Sequence, residues 1–218
     1  MLQNLFVRVF QVAETFRDEG ASGVFRRGLP SKQTAVKTRL MLSKLKPDAQ
    51  RNGRGDEACL EISRDRLDSG QLRYLVKSRY LKARRNLQLG YRGFALADKD
   101  EVLGDVWYVT NADRGAEMPD LEWLDIRLSA EDVYLFDMHL VKEHRGGGTA
   151  RLLLAGALRQ LKEKGYRTAY GYYVSHNIPA LWIHRMLGYE EVSRIVVRRT
   201  LGRCRRVNEE QGAERRNS

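Results

Sequence analysis

Three consecutive glycines, Gly146, Gly147 and Gly148, separate a strand-like run at 132–141 from a helix-like run at 148–164. Glycine loses more backbone freedom on folding than any other residue, so a triplet at such a junction suits a place where the chain turns sharply or a ligand approaches the main chain. The turn opens onto a helix N-terminus, where unpaired amide N–H groups and the positive end of the helix dipole favour an anion. Arg145, just upstream, adds a charge-assisted donor. A phosphate is the expected ligand of 145–150. Two familiar phosphate loops are excluded. No lysine follows the glycines where Gly-x-x-x-x-Gly-Lys-Ser/Thr needs one, and Gly-x-Gly-x-x-Gly/Ala read from Gly146 ends on Arg151.

The rest of the chain alternates between strand and helix periodicity. A strand is expected at 58–62, one or two helices at 67–89, and a hairpin of 91–97 and 102–110 joined through Asp98-Lys99-Asp100-Glu101. Mostly loop is expected over 111–130, then a strand at 167–174, a helix at 178–187 and a last strand at 190–200. Strand–helix–strand units place neighbours parallel, and the hairpin adds an antiparallel part. The expected class is α/β (α+β), a mixed, mostly antiparallel central sheet with helices on both faces. A chain of 218 residues with 42% hydrophobic residues holds one such core. Its boundaries are set at 58–202, after a basic helical extension and linker at 1–57 and before a polar, disordered tail at 203–218. Within the extension, Leu2, Leu5, Val9, Val12 and Phe16 form one stripe at helical spacing, and 44–57, with Pro47 and Asn52-Gly53, has the composition of a linker.

The glycine turn also reads as Gln/Arg-x-x-Gly-x-Gly/Ala, with Arg145, Gly148 and Ala150 at the defined positions. Downstream, Asn177 to Tyr189 reads as Asn-x-x-Ala-x-x-x-Tyr-x-x-x-Gly-Phe, with Ala180 and Gly188 in place. With these two motifs in this order, the chain resembles the GNAT superfamily of acyl-CoA-dependent N-acyltransferases over 91–200, extending back toward Ala58. The resemblance implies acetyl-CoA or another acyl-coenzyme A as cosubstrate. Its pyrophosphate would lie on Arg145, Gly146, Gly147, Gly148, Thr149 and Ala150. Met138, His139 and Leu140 would line the coenzyme through backbone groups where the strand splays from its neighbour, one amide polarising the thioester carbonyl, and Asn177 would contact the pantetheine arm or a neighbouring part of the coenzyme. Two positions depart from the pattern. Ala150 replaces a glycine, which the family tolerates. His184 stands where the family has the tyrosine that protonates the departing thiolate; a thiol has a pKa of about 8.5 and imidazolium about 6.5, so a charged histidine can serve, although much of it is neutral at pH 7.

Acyl transfer to an amine passes through a tetrahedral oxyanion and needs an amide donor, a base for the incoming ammonium and a proton for sulfur. The base candidates are Asp137, His139 and Glu143, with Tyr134 placed to hold a water. Asp137 is preferred, because a carboxyl within Leu135-Phe136-Asp137-Met138 has a raised pKa when buried. No nucleophile–histidine–acid set is recognisable. Cys59 and Cys204 are isolated, are expected to be reduced, and imply no metal.

The net charge of +11 and pI near 9.8 attract anions without naming one. Residues 1–56 carry eleven Lys and Arg against five acids, and Arg194, Arg198, Arg199, Arg203, Arg205 and Arg206 form a second basic run. Nucleic acid is not expected, since neither an aromatic strand pair nor a recognition helix accompanies the charge. The acceptor is expected from the side built by 67–89 and 111–130. The latter carries Asp113, Glu117, Asp120, Glu122 and Asp125, which suits a small-molecule amine or amino sugar. Three functions remain open: transfer of acetyl or another acyl group from coenzyme A to an amine, transfer of a long chain from acyl-CoA or an acidic acyl carrier protein, and a non-catalytic coenzyme A-binding module. The N-terminal stripe is expected to pack on the domain or on a second subunit as a homodimer, or else on a membrane surface or partner. With no apolar run of about 20 residues and no signal-peptide pattern, a cytoplasmic location is expected.

Overall fold

Apolar residues in alternation give a strand two distinct faces, and a strand buried on both must lie inside a sheet. The computed structural model describes residues 31–46, 57–113, 118–146, 148–200 and 203–207. Its elements are β1 (Ser31–Met41), β2 (Glu57–Glu61), α1 (Arg64–Asp68), α2 (Lys77–Gln88), β3 (Arg92–Asp98), β4 (Glu101–Thr110), α3 (Pro119–Trp123), β5 (Asp132–Leu140), α4 (Thr149–Glu163), β6 (Thr168–Val174), α5 (Ile178–Leu187), β7 (Glu190–Thr200) and β8 (Arg203–Arg206). The eight strands form one sheet in the order β2-β3-β4-β5-β6-β1-β7-β8. Every pairing is antiparallel except β5 with β6. The mixed, mostly antiparallel sheet expected from the sequence is therefore present.

Helices cover both faces. On one, Phe94 and Leu96 of β3, Val106 and Tyr108 of β4 and Val133 and Leu135 of β5 pack with Leu153, Leu154, Leu158 and Leu161 of α4 and Leu187 of α5. On the other, Ala95, Ala97, Val102 and Trp107 pack with Leu67 of α1 and Ala83 of α2. Beside that cluster, Val109 and Tyr134 pack with Trp123 of α3. At Gly156 α4 crosses β2 so closely that a Cβ would lie 2.6 Å from the Cys59 Cβ. Among the described residues, no helix is long and apolar enough to cross a membrane.

The expected domain boundaries need correction at both ends. β1 lies within the stretch assigned to the extension, yet it is an interior strand between β6 and β7. Its charges concealed it: Lys37 reaches off the strand and its ammonium donates to the carbonyls of Leu124, at 2.9 Å, and Asp125. Likewise β8 falls in the stretch assigned to a disordered tail, but pairs with β7 from Val197 to Thr200. The stripe from Leu2 to Phe16, the linker residues 47–56 and the tail beyond 207 lie outside the described residues.

Candidate active site

The site begins where β5 leaves β6. Their parallel ladder spans only Asp132–Tyr134 opposite Thr168–Tyr170. On its other edge β5 pairs with β4, but Asp137 and Met138 together stand opposite the single residue Val106, a β-bulge. Asp137 takes the left-handed conformation there, with φ +51°, which a short polar side chain tolerates best. Gly104 lets β4 approach this bend: a Cβ at that position would lie 2.6 Å from the His139 carbonyl oxygen. Met138 thus belongs to the bulge and His139 and Leu140 follow it, on a strand that has parted from its neighbour, and Met138 is exposed.

Burial was expected to raise the pKa of Asp137, and this is corrected. Burial does push the carboxyl up, but Arg79 and Lys82 of α2 outweigh it and hold it below its ordinary value. Arg79 Nη1 lies 3.1 Å and Lys82 Nζ 2.7 Å from Oδ2. The other terminal nitrogen of Arg79 pairs with Asp105 of β4, which also accepts from the Tyr74 hydroxyl at 3.0 Å and the Trp107 indole N–H at 3.3 Å. Sequence reasoning missed Arg79, Lys82 and Asp105. A carboxylate inside the apolar strand Val102–Val109 was the available signal, since such a group must find a partner. His139 is pushed down to about 4 by burial and then by Arg79, Arg145 and Lys82, so it is neutral near pH 7. Glu143 lies exposed in a short 3-10 turn, Lys142–His144.

That turn leads into the glycine loop. Arg145 Nε donates to the carbonyl of Leu140 at 3.3 Å, tying the loop to the end of β5. Gly146 and Gly148 have φ of +99° and +90°, and a Cβ at either would point into open space. The Thr149 N–H closes the turn on the Gly146 carbonyl at 3.2 Å. Helix α4 starts at Thr149 behind Gly148 with no side-chain cap, leaving Ala150 in a first turn whose amides have no partner within the helix. Gly147 lies outside the described residues.

Two residues of the second motif have partners that narrow their roles. Asn177 caps α5, its Oδ1 accepting from the Ala180 N–H at 3.2 Å. His184 lies between Tyr173 and Tyr189, with ring centroids 5.1 and 4.7 Å away. Its Nδ1 is 2.8 Å from the Ala180 carbonyl; a carbonyl only accepts, so Nδ1 carries the proton. Nε2 faces Gly171 of β6, 3.8 Å from where a Cβ would stand, beside the fork. Burial lowers the His184 pKa, so the neutral ring is favoured and its one N–H is engaged with the helix. A charged donor to sulfur is therefore disfavoured at this position.

On the opposite face, Tyr134, the last β5 residue of the ladder, donates to Asp120 Oδ2 at 3.1 Å. The Trp123 indole N–H donates to Oδ1 at 3.0 Å. The Tyr134 hydroxyl, expected to hold a water, thus commits its hydrogen-bond donor to Asp120. Trp123 meets Tyr172 edge-on at 5.1 Å and Tyr134 stacks near Phe136 at 6.1 Å, so the carboxylate sits beside a cluster of aromatic rings.

The sheet and its covering helices have counterparts among known proteins. No family model matches the chain. A mycothiol acetyltransferase of Streptomyces bingchenggensis is 28% identical over 98 residues, 43% of this chain. The match spans about a third of that relative's length, 32%. Among solved structures, a GCN5-related glucosamine N-acetyltransferase region of a fungal multi-domain GH3 beta-N-acetylglucosaminidase superposes with TM-score 0.55 at 17% identity, over 84% of this chain and 22% of that one. A GCN5-related N-acetyltransferase-like protein of Streptococcus suis gives 0.52 at 14% identity, over 86% and 68%. A tandem GNAT protein from the clavulanic acid biosynthesis pathway gives 0.51 at 16% identity, over 83% and 56%. The fold is that of the GCN5-related N-acetyltransferases.

Proposed function

We propose that this chain transfers an acyl group from coenzyme A to an amine acceptor by direct attack on the thioester. The observation that carries this reading is the fork between β5 and β6, with the bulge at Asp137–Met138 on one arm and the Gly146–Gly148 turn beyond its end. An extended pantetheine arm supplies the edge that the parted strand lacks. The first-turn amides around Gly148 and Ala150 with Arg145 suit the pyrophosphate, while the Thr149 N–H holds the turn closed. An amide among Met138, His139 and Leu140, re-aimed by the bulge, would donate to the thioester carbonyl and then to the oxyanion, on which charge develops. Acetyl is the favoured group, because the relatives that match are named acetyltransferases.

Asp137 serves this reading as a positioning residue. Paired with two cations, it holds the bulge in shape and is a poor base. His184 lies on the coenzyme side of the fork, and as a neutral ring it offers Nε2 as an acceptor.

Calorimetric titration of acetyl-CoA and coenzyme A into the purified protein tests the proposal. Wild type should bind both. Gly148→Glu, which points a carboxylate into the amide cradle, should weaken binding by about 100-fold. A wild-type protein that binds neither coenzyme ends the proposal.

A further inference from the structure

Acyl transfer to an amine needs a base on the acceptor side of the fork, and Asp137 is occupied. We propose that Asp120 receives the acceptor as an ammonium ion and takes its first proton, a role that rests on the acyltransfer reading above. Asp120 is bonded to Tyr134, the residue at which the β5–β6 ladder ends, so the carboxylate stands over the point where the strands part. Tyr134 and Trp123 each donate to a different oxygen, which fixes the carboxylate and leaves each oxygen a further lone pair. Among the described residues no Lys or Arg side chain pairs with it.

The groups around it favour a cation. Asp137 and Tyr134 face it from β5, Tyr172 from β6 and Cys204 from β8, with Arg199 of β7 beyond Tyr172. Lys37 of β1 is turned to the carbonyls of Leu124 and Asp125. Tyr172 and Phe136, both half-buried, supply aromatic surface for the body of the acceptor and for its charge, and the buried Trp123 and Tyr134 pack behind them. Burial raises the Asp120 pKa, against the donors Trp123 and Tyr134 and with help from Asp137, which moves the carboxylate toward the range of a working base.

The protons balance. An ammonium R–NH3+ gives one proton to the Asp120 carboxylate, and the freed amine nitrogen attacks the thioester carbon. The C–N bond forms, the C–S bond breaks, and a second nitrogen-borne proton passes to the thiolate, leaving an amide with one N–H. Asp120 then returns its proton to water.

Benzylammonium and its neutral counterpart benzyl alcohol test the assignment, with binding to the protein, with and without coenzyme A, followed by the Trp123 indole N–H resonance. Wild type should prefer the ammonium. Asp120→Asn should lose about tenfold in ammonium affinity with alcohol binding unchanged, while Asp120→Glu and Tyr134→Phe keep the preference. In wild type, acidification that neutralises Asp120 should abolish the preference without touching alcohol binding, a readout that needs no variant to fold. No preference in wild type, or a preference that survives both Asp120→Asn and acid, overturns the proposal. Acetyl-CoA affinity should be unchanged in Asp120→Asn; loss of coenzyme binding in wild type would instead sink the acyltransfer reading, with the ammonium preference still measurable.

Discussion

Arg79 of α2 holds the Asp137 carboxylate at the β5 bulge, Nη1 to Oδ2 at 3.1 Å, while its other terminal nitrogen holds the buried Asp105 of β4. One guanidinium thereby ties α2 to both strands of the bulged pair. Removing it leaves Asp105 buried without its counter-charge. Arg79→Ala should destabilise the protein by about 3–5 kcal/mol. An apolar pair, Arg79→Met with Asp105→Val, should lose less than Arg79→Ala alone. Urea midpoints decide the ranking, and equal loss in the two proteins would contradict it.

The contact between α4 and β2 depends on a missing side chain. An alanine at 156 would place its Cβ 2.6 Å from the Cys59 Cβ. Alanine favours a helix over glycine by about 1 kcal/mol, but the clash outweighs this. Gly156→Ala should destabilise by about 1–3 kcal/mol. Adding Cys59→Gly should restore part of the loss, as measured by thermal unfolding; no rescue would place the strain elsewhere.

Two histidines should shape the acid limb of stability. His139, pushed down to about 4, and His184, lowered by burial, are neutral in the folded protein, whereas the unfolded chain protonates them near about pH 6.5. The unfolded state then binds more protons, so stability falls as pH drops below about 6.5 and, for His139, continues to fall toward about 4. His139→Gln should flatten this slope in chemical denaturation across that window. An unchanged slope would mean that His139 titrates alike in both states.

His184→Phe probes the proton given to sulfur. Because Nδ1–H donates to Ala180 and burial opposes a second proton, turnover of acetyl-CoA should fall by less than about tenfold. Loss of a working general acid costs about 100-fold or more. A drop of that size, with acetyl-CoA affinity retained, would restore the acid role to His184.

The strand and helix runs of the second half were legible because each carries its own period. Thr149–Glu163, Ile178–Leu187 and Glu190–Thr200 lie within a residue of where periodicity placed them. The hairpin of β3 and β4 was equally plain, since its turn and its apolar runs are local. β1 was not legible. Its partners β6 and β7 lie far along the chain, and Lys37, polar in sequence, is satisfied by the carbonyls of Leu124 and Asp125.

The same division holds at the site. By itself the sequence determined the glycine turn and the helix behind it, because φ-permissive residues at a strand–helix junction act locally. It also determined the order of the two motifs. Only the tertiary structure decided which partners each carboxylate meets. Asp137 looked like a base until Arg79 and Lys82 met it from α2, and Asp120 looked like one acid among several until Tyr134 and Trp123 fixed it over the fork. A carboxylate's chemistry is set by the charges and donors around it, and here the sheet brings those together from distant parts of the chain.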